Sequence, residues 1–197
     1  MDHFNKVANE WDSAEKISLM KELATKVKNS VELEFDLEIL DFGCGTGLFG
    51  LEFVDHAKRL VGMDSSQAML DVFDLKTASI STINSVCVDL QESEFKDQFD
   101  LIISSMAFHH LKDPLNVLEK LVKLLKDEGQ ILIVDLDKED GSFHPDNQGM
   151  GVKHYGFSKD ELQMWQDKLN LKFEWKIINK ILKNEREYNQ FLAVYSK

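Results

Sequence analysis

The stretch Ile39-Leu40-Asp41-Phe42-Gly43-Cys44-Gly45-Thr46-Gly47 constrains this chain more than any other. Apolar residues run into an acid and then into glycines at alternate positions, the pattern of a buried strand that ends in a tight turn. Glycine takes positive φ freely and lets another molecule approach closer than a Cβ would allow. Leu48, Phe49, Leu51, Glu52, Phe53 and Val54 follow at once, so the turn is expected to open a helix. Strand, glycine turn and helix form the first unit of a doubly wound α/β fold, whose ligands lie beyond the carboxyl ends of the strands.

Two ligand classes suit such a turn. Gly45, Gly47 and Gly50 satisfy G-x-G-x-x-G, and Asp64 follows at nearly the ~20 residues expected for a dinucleotide site. Charge separates the two. A dinucleotide puts its pyrophosphate at the turn, and the Asp41 carboxylate just ahead of the glycines would repel it. S-adenosylmethionine brings an ammonium and a sulfonium to the same place, and there Asp41 is an asset.

Leu40-Asp41-Phe42-Gly43-Cys44-Gly45-Thr46-Gly47 resembles the first motif of the class I S-adenosylmethionine-dependent methyltransferases. Further segments resemble that family in order: Val61-Gly62-Met63-Asp64-Ser65-Ser66 its second strand, Val88-Asp89-Leu90 its third, and Phe99 to Ser105 with His109-His110-Leu111-Lys112-Asp113-Pro114 its fourth and the following loop. Leu124 to Ile133 resembles its fifth strand and the helix end before it. The resemblance implies S-adenosylmethionine as cofactor, held by Asp41, Gly43, Cys44, Gly45, Gly47, Met63, Asp64, Ser65, Asp89, Leu90 and Ser104. In that family the acid at Asp64 holds the ribose hydroxyls and the acid at Asp89 meets the adenine amino group.

The implied fold is α/β, a seven-stranded Rossmann-like sheet in the order 3-2-1-4-5-7-6, its last strand antiparallel, with helices on both faces. Residues 1–197 are expected to form one domain, with residues 1–30 as N-terminal helices over the cofactor cleft. Phe4, Val7, Ala8 and Trp11 share one helical face, and Ile17, Met20, Leu23, Ala24 and Val27 mark a second helix. Gln67 to Phe73 reads as a short helix capped by Ser65 or Ser66. Leu115, Leu118, Leu121, Val122 and Leu125 recur at helical spacing behind Pro114, which suits a first helical turn. Strand five, Gln130 to Leu136, runs into an acidic, irregular insert from Asp137 to Tyr155, long for an ordinary connection. Leu162, Trp165 and Leu169 mark a further helix, and residues 173–178 and 188–195 the closing hairpin.

With 197 residues, 43% of them hydrophobic, the chain can fill one sizeable core. Its net charge of -12 disfavours nucleic acid, whose binding relies on neutralising phosphates with Lys and Arg. No apolar run reaches the ~18 residues of a membrane span, and the start of the chain does not read as a signal peptide. Two cysteines suggest neither disulfides nor a zinc framework, so a cytoplasmic setting is expected. The expected partner is a small-molecule methyl acceptor, with the protein a monomer or homodimer.

The sulfonium already activates the methyl group, so such a protein must align a nucleophile, exclude water and, where necessary, take a proton. Histidine suits the last task, having an unperturbed pKa of ~6.5. His110, His109 and His144 are the candidates, in that order. The Asn or Asp, Pro, Pro, aromatic motif of amino-group methylases is replaced by Ser104-Ser105-Met106-Ala107. These serines also cannot supply the magnesium-binding acid of catechol-type enzymes. No ligand spacing is diagnostic of a metal, and none is expected. The leading reading is a methyltransferase that acts on oxygen, nitrogen or carbon and releases S-adenosylhomocysteine. A non-catalytic S-adenosylmethionine sensor or accessory subunit comes second, and an NAD-type oxidoreductase third.

Overall fold

A computed structural model describes residues 2–183 and 185–197. Seven strands form a single sheet in the order β3-β2-β1-β4-β5-β7-β6, with β7 antiparallel to both its neighbours and the remaining pairs parallel. They are β1 (Leu37–Phe42), β2 (Ala57–Asp64), β3 (Ile83–Cys87), β4 (Phe99–Ser105), β5 (Leu125–Leu136), β6 (Lys172–Lys183) and β7 (Arg186–Ser196). The order expected from the sequence is the order observed.

Strand alternation splits the core into two layers. Leu40, Phe42, Val61, Met63 and Ile102 face one side with α4 (Pro114–Lys123) and α5 (Lys159–Leu169), which contribute Val117, Leu118, Leu121, Leu162 and Trp165. Ile39, Leu60, Leu101 and Ile103 face the other, under α2 (Ala14–Lys28) and α3 (Gln67–Thr77), which supply Leu23, Ala24, Val27, Leu70 and Phe73. Strands covered on both faces are apolar at consecutive positions, which is why β1, β2 and β4 read as unbroken hydrophobic runs.

The helices begin where their sequences supply caps. The hydroxyls of Ser13, Ser66 and Ser158 and the Asp113 carboxylate each accept a backbone N–H from the residue three positions on. Pro114 sits at the start of α4, where a missing N–H costs nothing. Among the described residues no helix is long and apolar enough to cross a membrane.

Two expected helices differ. The glycine turn opens no α-helix; a tight 3₁₀ segment, Gly50–His56, leads straight into β2. The Asp41 carboxylate occupies the space that a Cβ on Gly50 would need, so this segment packs directly on the end of β1. At the N-terminus, α1 (Asp2–Val7) gives way to a 3₁₀ turn at Ala8–Glu10, and Trp11 lies beyond it. The closing strands are longer than their hydrophobic cores suggested.

Candidate active site at the β1–β4 junction

The sheet order reverses between β1 and β4, and a doubly wound sheet opens its ligand crevice at such a point. Gly43, just past β1, and Ala107, just past β4, meet here. A Cβ on Gly43 would lie 2.5 Å from that of Ala107, so glycine is what lets the two loops close. Gly45 differs. It also takes positive φ, at 52°, but a Cβ there would meet nothing within 4 Å, so its bare face looks into open space. Gly47 is held by packing against Phe73 and Leu51.

The turn is clamped to the end of β2. The Gly43 and Cys44 amides donate to the Met63 carbonyl at 2.8 and 3.1 Å, and the Gly45 amide donates to Asp64 Oδ2 at 2.8 Å. Asp64 Oδ1 accepts from the Ser66 amide at 2.8 Å. Met63 and Leu90 bury their side chains in the core, as does Cys44, so any part they play in binding falls to their backbone. Asp89 turns one carboxylate oxygen, Oδ1, onto the Gln91 amide at 3.0 Å. The residues expected to bind cofactor at the first two strand ends are thus brought together, with Asp89 and Ser65 farther along the same edge.

Asp41 is almost fully buried, and among the described residues its Oδ2 has no hydrogen-bond partner; nor have the buried hydroxyls of Ser104 and Ser105 at the end of β4. Burial, with the neighbouring Asp64 charge, pushes the Asp41 carboxyl up to about 7, against a lowering by the Gly50 backbone. Burial raises Asp64 too, opposed by the amides of Ser66, Gly45 and Ser65. A buried polar group left unpaired costs ~1–3 kcal/mol. Orphaned polar atoms around an open glycine face fit a cationic ligand with polar substituents, and S-adenosylmethionine is one. An anion would meet two carboxylates.

The loop after β4 carries the histidines. Met106 sits at positive φ, 57°, and a 3₁₀ turn over Phe108–His110 follows. The insert folds over this loop, the amides of Lys153 and His154 donating to the His109 carbonyl at 2.9 and 3.0 Å. His144 thereby comes within 5.0 Å of His109, ring centroid to centroid, while His109 and His110 lie 4.1 Å apart. All three expected histidines are brought together. Burial, then the His109 charge, lowers His110 to about 3 and His144 to about 4, so both rings are neutral.

Asp135, in β5, had no place in the sequence-based site. Its Oδ1 lies 2.7 Å from His109 Nδ1, and its Oδ2 accepts the His109 amide at 3.2 Å. Burial pushes the Asp135 carboxyl up, but the His109 charge and hydrogen bonds outweigh it and hold the group below its usual range. One signal could have found it: an acid inside Ile131-Leu132-Ile133-Val134-Asp135-Leu136 must be buried, and a buried acid needs a partner.

The N-terminal segment covers both halves of the site. Thr46 Oγ1 donates to Asp12 at 2.5 Å, Lys76 pairs with the same carboxylate at 2.5 Å, and Ser66 Oγ donates to Asn5 at 2.7 Å. Phe4 packs edge-on against His110 with ring centroids 5.0 Å apart. An open depression lined by Leu37, Asp100, Asp127 and Gln130 lies at the opposite, amino ends of the strands, away from this chemistry.

The sheet order and the glycine turn are those of the methyltransferase fold that the sequence resembles. Residues 40–133, just under half of the chain, match the family described as "Methyltransferase domain". An uncharacterized methyltransferase of Schizosaccharomyces pombe is 38% identical over 135 residues, covering 61% of this chain and 48% of the relative. The malonyl acyl-carrier-protein O-methyltransferase of Acetivibrio thermocellus is 29% identical over 131 residues, 64% of this chain and 45% of the relative. This chain therefore spans about half the length of these curated relatives. The complex between the Haloferax volcanii Trm112 methyltransferase activator and a methyltransferase contains a similar fold, with a TM-score of 0.78 at 17% identity over 98% of this chain and 96% of that one.

Proposed function

We propose that this protein binds S-adenosylmethionine at the glycine turn and methylates a small-molecule acceptor held against the three histidines. One observation carries the reading: Gly43 and Ala107 are in contact, so the orphaned Asp41 and Ser104 lie one loop away from His109 and His110. Bound there, the cofactor supplies a methyl group already activated for displacement by its sulfonium.

The chain's own residues do the rest. Asp41 and Asp64 attract the positive end of the ligand, and the open face of Gly45 gives it room. Phe4, with α1, keeps water from the acceptor side, and the histidine cluster is where the acceptor's proton is lost. The net charge of -12 supports a small acceptor over a nucleic acid. The Acetivibrio relative is named for a malonyl group on a carrier protein, so acceptors borne by a carrier belong in the same screen.

Calorimetry with S-adenosylmethionine, S-adenosylhomocysteine and NAD tests the cofactor. Binding of both adenosyl ligands and none of NAD is expected, and Asp64→Ala should weaken it by ~1.5–3 kcal/mol, the scale of hydrogen bonds to a charged group. NAD binding with no heat from either adenosyl ligand would reverse the assignment. Release of S-adenosylhomocysteine over a metabolite panel then tests catalysis and separates an enzyme from a sensor.

A further inference from the structure

The geometry points to a divalent metal site, best suited to zinc, formed by His109, His110 and His144, with Asp135 orienting His109 and the fourth position left for the acceptor. One ring nitrogen from each histidine lies within 4.8 Å of one from each of the others. Among the described residues His109 Nε2, His110 Nδ1 and His144 Nδ1 are all buried without a hydrogen-bond partner. Three convergent imidazole nitrogens with nothing to bond are unfavourable neighbours on their own, since each loses its hydration and gains no partner. A cation resolves all three at once.

The surroundings are those a metal requires. A ligating histidine usually gives its other ring N–H to a carboxylate or a carbonyl, which fixes the tautomer and aims the free nitrogen. Asp135 does this for His109 at 2.7 Å. Three histidines with an open fourth position are a catalytic zinc arrangement, and imidazole ligands favour zinc over magnesium or calcium. Zinc to nitrogen distances of ~2.0–2.1 Å require nitrogens ~3.4 Å apart, so nitrogens up to 4.8 Å apart must close by up to about 1.4 Å.

Resting on the methyltransferase reading above, the site names an acceptor class. A hydroxyl or thiol entering the fourth position binds zinc as its anion, and its proton passes to solvent. The nucleophile is thus prepared without a free general base, and the histidines serve as ligands. Sequence spacing gave no hint of this, because His144 joins the pair only through the fold of the insert.

The test uses the full chain after dialysis against a chelator. Zinc titration is followed by calorimetry and cobalt(II) titration by visible absorption, with S-adenosylmethionine binding measured alongside. One zinc per chain is expected, with affinity lowered ~10- to 100-fold by Asp135→Asn and further by His144→Ala. Cobalt(II) should give the intense visible bands of a four-coordinate site. Uptake that His144→Ala leaves unchanged would belong to the acidic surface and overturn the proposal, as would no uptake or only faint six-coordinate bands. The wild-type cobalt spectrum decides the matter if His144→Ala fails to fold. S-adenosylmethionine binding without zinc would remove the metal site and keep the methyltransferase reading; zinc without S-adenosylmethionine would do the reverse.

Discussion

Asp135 and His109 form a hydrogen-bonded pair at 2.7 Å, with side-chain exposures of 0% and 1%. Neither can be removed alone without stranding the other. His109→Ala leaves an ionised carboxylate in the core, and breaking a buried pair in this way costs ~3–5 kcal/mol. Urea denaturation of His109→Ala should show a loss of that size. His110→Ala, with no ionic partner, should lose clearly less, and equal losses would mean that the pair carries no special weight.

Turnover is therefore better probed at His110 and His144. Once an acceptor is found, His110→Ala and His144→Ala should each lower turnover by ~10²–10⁴, the scale of losing the group that readies the acceptor's proton for departure, whether as metal ligand or as base, with S-adenosylmethionine affinity held within a few-fold. Mutants that keep turnover within a few-fold would leave proximity and orientation as the whole of catalysis. Mutants that lose cofactor affinity as well would show the rings to be structural.

The glycines of the turn should separate by what their bare faces meet. Gly45→Ala puts a methyl into open space, costing ~1–2 kcal/mol for its left-handed backbone while lowering cofactor affinity at least tenfold. Gly50→Ala drives its Cβ into the Asp41 carboxylate and should destabilise the fold itself. Melting temperatures and cofactor titrations on the two variants check this. A Gly45→Ala protein that binds normally would place the cofactor elsewhere.

Asp41 makes cofactor binding depend on pH. Its carboxyl is raised to about 7 in the ligand-free protein, so this group favours the fold below its unfolded value of 3.8, and that contribution is lost as pH rises through about 7. A cationic ligand needs the ionised form. Stabilisation by S-adenosylhomocysteine, whose amino group keeps its charge, should therefore grow as pH rises through about 7. Thermal shifts across that range test it, and Asp41→Asn should flatten the trend.

The cofactor half was legible in the sequence because its chemistry is contiguous: strand, acid, glycines, and an acid at the next strand end. Strand order came with the family resemblance that those motifs carry, while the hydrophobic runs that double-sided burial demands marked the strands themselves. The acceptor half was not legible in the same way. His109 and His110 stood out, but their union with His144 and Asp135 depends on the path of an irregular insert and on the pairing of β5 beside β4. The residues Leu48 to Val54, following the turn without a break, also suggested a helix there; the segment instead forms a 3₁₀ stretch whose Gly50 packs directly on the buried Asp41 carboxylate. Contacts of Asn5 with Ser66 and of Asp12 with Thr46 join residues too far apart for any local pattern to reveal.

Those last contacts make the first dozen residues a shared latch. The same short segment touches the glycine turn through Asp12, the end of β2 through Asn5 and the histidine cluster through Phe4. On the proposed function, displacing it would expose the cofactor and acceptor sides together. A bulky fusion ahead of α1, or proteolysis within it, should therefore impair cofactor and acceptor binding together, whereas the same fusion beyond β7 should leave the latch untouched.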